Sequence, residues 1–217
     1  MQDARVPRIP GILRIAALPV LVFLIFPFTT AAKTLMIFAP HPDDEALMAS
    51  GIMYSALARG DTVKVVLMTN GDAGGPVPGT TLGTTREGET VTGMSTLGLS
   101  EQNIIFLGYG DEMLMELQNS TSPTTVYTSD AGQTQTYASR GLGGTDYHNY
   151  LNQVHGAYNQ ATLLADVQEV FQNLKPDEIY TTASWDAHPD HQATGLFVAQ
   201  AILALRKSGV SFSPKVL

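Results

Sequence analysis

The chain has 217 residues, 44% hydrophobic and 15% charged, with a formal net charge of −8 and no cysteine. That length suits one sizeable α/β domain with its own core and is short for two. The acidic balance offers no basic footprint for nucleic acid. The missing cysteines exclude disulfides, a thiol nucleophile and any thiolate metal site, so a metal would have to rest on histidine and carboxylate ligands.

Residues 1–32 read as an export signal. Arg5, Arg8 and Arg14 precede an uncharged apolar run from Ile15 to Phe28, and Thr30, Ala31 and Ala32 offer a small-residue cleavage site. The run holds Pro19 and Pro27 and is shorter than the ~20 apolar residues of a spanning helix. A removed signal is therefore expected, with a retained N-terminal anchor as the alternative. The chain beyond it carries 9 basic against 19 acidic residues. The expected location is secreted or extracytoplasmic, with membrane contact only through the N-terminal segment if it stays uncleaved.

From residue 33 a single domain is expected. Thr34 to Ala39 is a nearly continuous apolar run, as in a parallel strand covered on both faces. Residues 45–59 space Leu47, Ile52, Ala56 and Leu57 helically, and Gly60 follows where a C-terminal glycine belongs. A second strand spans Thr62–Met68, a helix runs from about Thr85 to Leu97 before Gly98, and a third strand covers Asn103–Leu107. The stretch from about 110 to 160 is rich in Thr, Ser, Gly, Tyr and Gln with little periodicity, and reads as an insertion or lid. A helix from Ala161 to Leu174 stops before Pro176, Glu178–Thr182 forms a fourth strand, and His191–Lys207 forms an apolar helix. Ser213–Leu217 resembles the approach to a fifth strand, which leaves a truncated C-terminus open. Strict alternation of strand and helix predicts a Rossmann-like parallel sheet with helices on both faces, a three-layer α/β/α fold.

The chemistry-bearing residues follow the strands: Pro40-His-Pro-Asp-Asp-Glu45 after the first, Asn70-Gly-Asp72 after the second, Gly108-Tyr-Gly-Asp111 after the third, and Trp185-Asp-Ala-His-Pro-Asp-His191 after the fourth. Ligands of open α/β sheets bind beyond those carboxyl ends. Three of the five histidines fall in two similar clusters. Asp44 stands three residues after His41 at a strand-to-helix turn, and a distant His191 would complete two imidazoles and one carboxylate with an open position, as in catalytic zinc. Such an ion acidifies water and polarises a carbonyl. Asp43, next to a ligand but pointing elsewhere, suits the general base, and the plainer reading is that Asp43 and Asp44 cap the helix. His188 would stabilise an oxyanion or protonate the leaving amine. Asp190 would orient a histidine, or cap the last helix.

The strings Ala39-Pro-His-Pro-Asp-Asp-Glu45, Thr69-Asn-Gly-Asp72 and His188-Pro-Asp-His191 resemble the LmbE/PIG-L family of zinc-dependent de-N-acetylases, over about Thr34 to Lys207. The resemblance implies zinc on His41, Asp44 and His191, Asp43 as base and His188 beside the tetrahedral intermediate. It also implies a small-molecule or glycoconjugate substrate bearing an N-acetylglucosamine. Arg86 and Glu87 resemble a family position facing the sugar, with solvated helix-start charges as the alternative. Asp72 is a candidate for substrate hydroxyls or for shaping its turn, and His148 is a candidate residue of the insertion. Two imidazoles and a carboxylate also accept Fe2+ or another divalent ion. The competing readings are a zinc amidase acting on another amide and a non-catalytic exported sugar-binding module.

Overall fold

A computed structural model describes residues 31–75 and 77–217, so the export-signal reading lies almost wholly outside the described residues. Five strands, β1 (Thr34–Ala39), β2 (Thr62–Thr69), β3 (Ile104–Tyr109), β4 (Glu178–Thr181) and β5 (Lys215–Val216), form one sheet in the order β3-β2-β1-β4-β5. Every pairing is parallel. Among the described residues six α-helices accompany them: α1 (Asp44–Ala58), α2 (Thr80–Thr96), α3 (Leu114–Gln118), α4 (Tyr147–Asn152), α5 (Gln160–Leu174) and α6 (Pro189–Lys207).

Alternation along the strands builds the three layers. Leu35, Ile37 and Ala39 of β1 face one way with Val63, Val65 and Leu67 of β2, and pack against Ala49, Met53 and Ala56 of α1 and Val91 and Met94 of α2. Met36 and Phe38 face the other way with Val66 and Met68, and meet Leu163, Val167 and Phe171 of α5 and Phe197, Val198 and Ala201 of α6. Both strand faces are therefore apolar, which is why β1 reads as a run without polar alternation.

Element ends follow local chemistry. Gly60 and Gly98, at φ 81° and 87°, take the left-handed conformation that closes α1 and α2. α2 starts at Thr80, a turn earlier than its sequence pattern indicates, because the threonines of its first turns carry no apolar periodicity. Residues 110–160 pack onto the sheet through Leu114, Leu117, Tyr147 and Tyr158, all buried in the α5–α6 layer. The Tyr158 hydroxyl donates to the Gly108 carbonyl at 3.0 Å. The order of this stretch rests on side-chain hydrogen bonds and two short helices, which periodicity does not reveal. The strand order turns outward on either side of β1, so the loops after β1 and β4 diverge over a crevice at the carboxyl edge.

Candidate active site

The loop after β1 sets the geometry. Asp44 Oδ2 accepts from the His41 backbone N–H at 3.1 Å and lies 3.1 Å from His41 Nδ1. The same oxygen is 3.3 Å from His191 Nε2. Metal–ligand bonds near 2.0–2.1 Å in a tetrahedral site put neighbouring ligand atoms about 3.3 Å apart. Asp44 Oδ2 thus stands at ligand spacing from one nitrogen of each imidazole, and two imidazoles with a carboxylate are donors that a divalent cation accepts; among the described residues the groups whose ligand atoms all lie within 4.8 Å of one another are His41–His188–His191 and His41–Asp111–Asp190, so the trio through Asp44 closes on two of its three edges.

The far nitrogens of both imidazoles meet further carboxylates. His41 Nε2 lies 2.9 Å from Asp111 Oδ1 and 3.3 Å from Asp190 Oδ2, and His191 Nδ1 lies 3.3 Å from Asp186 Oδ2. Carboxylates behind metal-binding imidazoles fix ring orientation and tautomer. Burial alone would lower the His41 pKa, but its hydrogen bonds to Asp111, Asp190 and Asp44 outweigh that and push it up to about 11. The same His41 bonds and the charge of His191 hold Asp44 below its usual range against the opposing effect of burial. Cation and proton compete for the ring in such a setting.

His188 caps α6. Its Nδ1 accepts from the Asp190 backbone N–H at 3.2 Å, so in the neutral ring the proton sits on Nε2. The His188 ring centroid is 4.8 Å from that of His41 and 4.9 Å from that of His191. One ligand atom from each of the three histidines falls within 4.8 Å of the others, and the same holds for His41, Asp111 and Asp190, so both groups compete with the trio through Asp44. The cap of α6 weighed for Asp190 falls instead to His188. Asp190 lies inside the helix, fully buried, and accepts from the Glu112 and Leu114 backbone N–H groups at 2.8 and 3.0 Å as well as facing His41. Asp190 thus stands behind the His41 ring, away from Asp44.

Asp43 precedes α1 without a side-chain capping bond. Its backbone stands at φ 117° and ψ −32°, and Glu45 Oε2 accepts its N–H at 2.9 Å. The Asp43 side chain is 63% exposed, and Arg86 Nη2 donates to its Oδ2 at 3.1 Å. The Arg86 guanidinium also donates to the Pro42 and Gly71 carbonyls at 2.6 and 3.1 Å, which makes it a built wall of the site instead of a solvated charge. Gly71, at φ 65°, is a glycine for two reasons: its conformation is left-handed, and a Cβ would collide with that guanidinium. Together His41, Asp43, Gly74, Arg86, Asp111, Glu112 and His188 line a cavity of about 250 Å³. A larger cleft of about 400 Å³ between the ends of α5 and α6 contains no histidine.

Two of the candidate substrate residues lie off the cavity lining. Asp72 is fully buried, its oxygens accept from the Asp111 backbone N–H and the Tyr137 hydroxyl at 2.9 Å each, and it does not line the cavity. It shapes its turn and steadies the Asp111 loop. His148 sits on α4 with Nδ1 2.6 Å from Asp166 Oδ1, whose other oxygen accepts from the Tyr109 hydroxyl at 2.7 Å. That pairing ties α4 to α5, and His148 is absent from the cavity lining. Glu87 is likewise buried, accepting from the Ser139 N–H and hydroxyl at 2.8 and 2.9 Å. Asp111 and Asp186 were not singled out by sequence reasoning, although both lie in the acidic clusters that follow strands three and four.

An open parallel α/β sheet with two imidazoles around one carboxylate at its carboxyl edge defines a Rossmann-like protein with a metal-type site. Residues 36–202 match the PIG-L family, described as GlcNAc-PI de-N-acetylase. The chain belongs to that family. No curated protein matches the sequence. Among solved structures the fold is similar to the N,N'-diacetylchitobiose deacetylase of Pyrococcus horikoshii, at 19% identity and a TM-score of 0.54 over 85% of this chain and 57% of that one. It is similar as well to GalB, the 4-carboxy-2-hydroxymuconate hydratase of Pseudomonas putida KT2440, at 15% identity and a TM-score of 0.52 over 85% and 62%. A deacetylase of teicoplanin biosynthesis, solved with teicoplanin, aligns at 16% identity and a TM-score of 0.50 over 82% and 67%. The chain spans about three fifths of the first of these, at 57%. At such identities the likeness is one of fold, and one of these folds serves a hydratase.

Proposed function

We propose that the chain is a metal-dependent hydrolase that removes the N-acetyl group from a substrate containing N-acetylglucosamine, with zinc held by His41, Asp44 and His191. The observation that carries this reading is Asp44 Oδ2 at ligand spacing from both imidazoles, 3.1 and 3.3 Å, with the exposed Asp43 carboxylate beside them. Zinc bound there supplies Lewis acidity that acidifies water and polarises the amide carbonyl; Fe2+ suits the same donors.

This chain's own groups divide the remaining work. Asp43, held by Arg86, takes the proton of the attacking water. Its exposure lets it reach into the cavity while Asp44 stays tied to the His41 loop. His188 Nε2–H donates to the oxygen that gains charge as the carbonyl carbon becomes tetrahedral. Asp190 fixes this arrangement through the His188 cap and through His41. The proton gathered by Asp43 then passes to the leaving amine, so acetate and a free amino sugar result. The apolar run ahead of the domain supports export as the setting of this reaction.

The test is acetate release by zinc-loaded protein across GlcNAc-inositol lipids, GlcNAc-inositol, GlcNAc-malate and chitin oligomers. Turnover of one class and none of unrelated amides is the expected result. Cleavage of other amides alone would turn the reading to a different amidase.

A further inference from the structure

The 110–160 stretch reaches the candidate metal site through Tyr137. This half-buried side chain donates its hydroxyl to Asp72 Oδ2 at 2.9 Å across 65 residues. The other oxygen of that carboxylate accepts from the Asp111 backbone N–H at 2.9 Å. Asp111 in turn presents Oδ1 to His41 Nε2 at 2.9 Å. An unbroken line of contacts thus runs from the insertion to a proposed ligand imidazole, and Asp72 and Asp111 within it are both buried. The place of Tyr137 is itself built. Its backbone N–H donates to the Gly108 carbonyl at 3.2 Å, and its own carbonyl accepts from Asn70 Nδ2 at 2.7 Å. On α2, Gly83 leaves the room that the hydroxyl occupies, since a Cβ there would collide with it. Glycine inside a helix is otherwise unfavourable.

We propose that Tyr137 is a positioning residue of the metal site: by donating to Asp72 it sets the Asp111 loop, and through Asp111 it sets the ring of His41. Its consequence for zinc rests on the hydrolase reading; the relay to His41 does not. Among the described residues Tyr137 is the only side chain that donates to Asp72, which is fully buried. A buried carboxylate oxygen that loses its donor keeps the full cost of desolvation, so the group turns or moves until it finds another. Either movement draws on the bond between Asp72 Oδ1 and the Asp111 N–H. The Asp111 carboxylate has little slack of its own. Its Oδ2 accepts from the Ala73 N–H at 3.3 Å and its Oδ1 from the Glu112 N–H at 2.9 Å, donors that belong to the same two loops. Loop and carboxylate therefore shift together, and the contact that orients the far nitrogen of His41 shifts with them.

The full chain, stripped of metal, is compared as parent, Tyr137→Phe and Ser139→Ala. Ser139 anchors the same stretch through Glu87 and stands outside the relay, so losing its hydroxyl loosens the insertion without touching Asp72. Imidazole nitrogen signals in the magnetic resonance spectrum of isotope-labelled protein report the hydrogen bonds of each ring, and those of His41 are assigned by their absence from His41→Gln. Tyr137→Phe should shift the His41 signals, and Ser139→Ala should leave them in place. Asp72→Asn cuts the relay one step further in and should move the same signals, which keeps the test open if Tyr137→Phe does not fold. Titration against a chelating indicator should show zinc bound about tenfold more weakly by Tyr137→Phe, the low end of the effect of groups behind a metal ligand. On an Asp111→Asn background the same substitution should change zinc affinity by less than about twofold, because the relay is already cut. Unmoved His41 signals in folded Tyr137→Phe, or in Asp72→Asn, overturn the relay. Equal effects of Ser139→Ala, or an undiminished loss of affinity on the Asp111→Asn background, overturn it as well. Shifted His41 signals in a chain that binds no zinc would keep the relay and remove the metal reading.

Discussion

Asp43 holds a backbone conformation, φ 117° and ψ −32°, that residues with a Cβ seldom adopt, and strain of this kind costs on the order of 1–3 kcal/mol. Three contacts keep it there: Glu45 on its N–H, Arg86 on its carboxylate, and the first turn of α1 on its carbonyl. Asp43→Gly should therefore raise stability by about 1 kcal/mol while abolishing turnover, which thermal unfolding and acetate release would show together. A less stable, inactive variant would mean that the Arg86 pairing outweighs the strain. At the same scale, Asp186 and Asp111 face the two imidazoles, and in the proposed zinc site they act through them. Replacing either by Asn should weaken zinc binding by about 10–100-fold, read by titration against a chelating indicator. The conservative replacement of either by Glu should recover part of that loss. Unchanged affinity in both Asn variants would assign these carboxylates to loop structure only.

The elements carry the site through a few pins. Glu87 of α2 fastens residue 139 of the 110–160 stretch, and burial raises its pKa above the ordinary 4.5 despite the opposing hydrogen bonds from Ser139. A carboxyl whose folded pKa is raised favours the fold most below its unfolded pKa. Its contribution is lost as pH climbs through the raised value. Glu87→Gln removes that loss, so the variant's melting temperature should gain on the parent's as pH rises from about 4.5 toward neutrality. A constant difference across that range would show that the charge of Glu87 is not what burial opposes. Between the sheet and α5, Phe38 is fully buried with its ring centroid 5.3 Å from that of Phe171. Phe38→Ala should cost about 3–5 kcal/mol, measured as a lower denaturant midpoint. A loss under about 1 kcal/mol would contradict the packing described here.

Across the whole molecule, what could be read from the sequence follows from how local each signal is. The parallel sheet was legible because β1, β2 and β3 are apolar on both faces and each ends in a polar cluster. Gly60, Gly98 and Pro176 punctuated the helices for the backbone reasons that make those residues terminators. His41, Asp43, Asp44, His188 and His191 stood out as two short motifs, and Arg86 through its resemblance to a family position. Asp111 and Asp186 escaped because a carboxylate behind an imidazole contacts it across 70 residues, or by one turn of loop, with no periodic mark. Asp72 and His148 drew notice as substrate candidates for the converse reason. A polar residue near a strand end or in a Tyr-rich stretch looks available in sequence, and only burial and pairing with Tyr137 or Asp166 show that it is engaged. The order within 110–160 depends on contacts such as Tyr158 to Gly108 and Asn70 to Tyr137, both distant in sequence.

In the proposed reaction one carboxylate of the Asp43–Asp44 pair holds a metal and its neighbour handles a proton. Bound zinc and acetate release, measured on the same preparations of the parent chain, Asp44→Asn and Asp43→Asn, test it directly. Asp44→Asn should lose most of its zinc and its activity with it. Asp43→Asn should keep stoichiometric zinc and lose turnover by about 10²–10⁴-fold, the range of a positioned general base. Retained turnover in zinc-loaded Asp43→Asn, or full zinc retention in Asp44→Asn, would contradict the assignment.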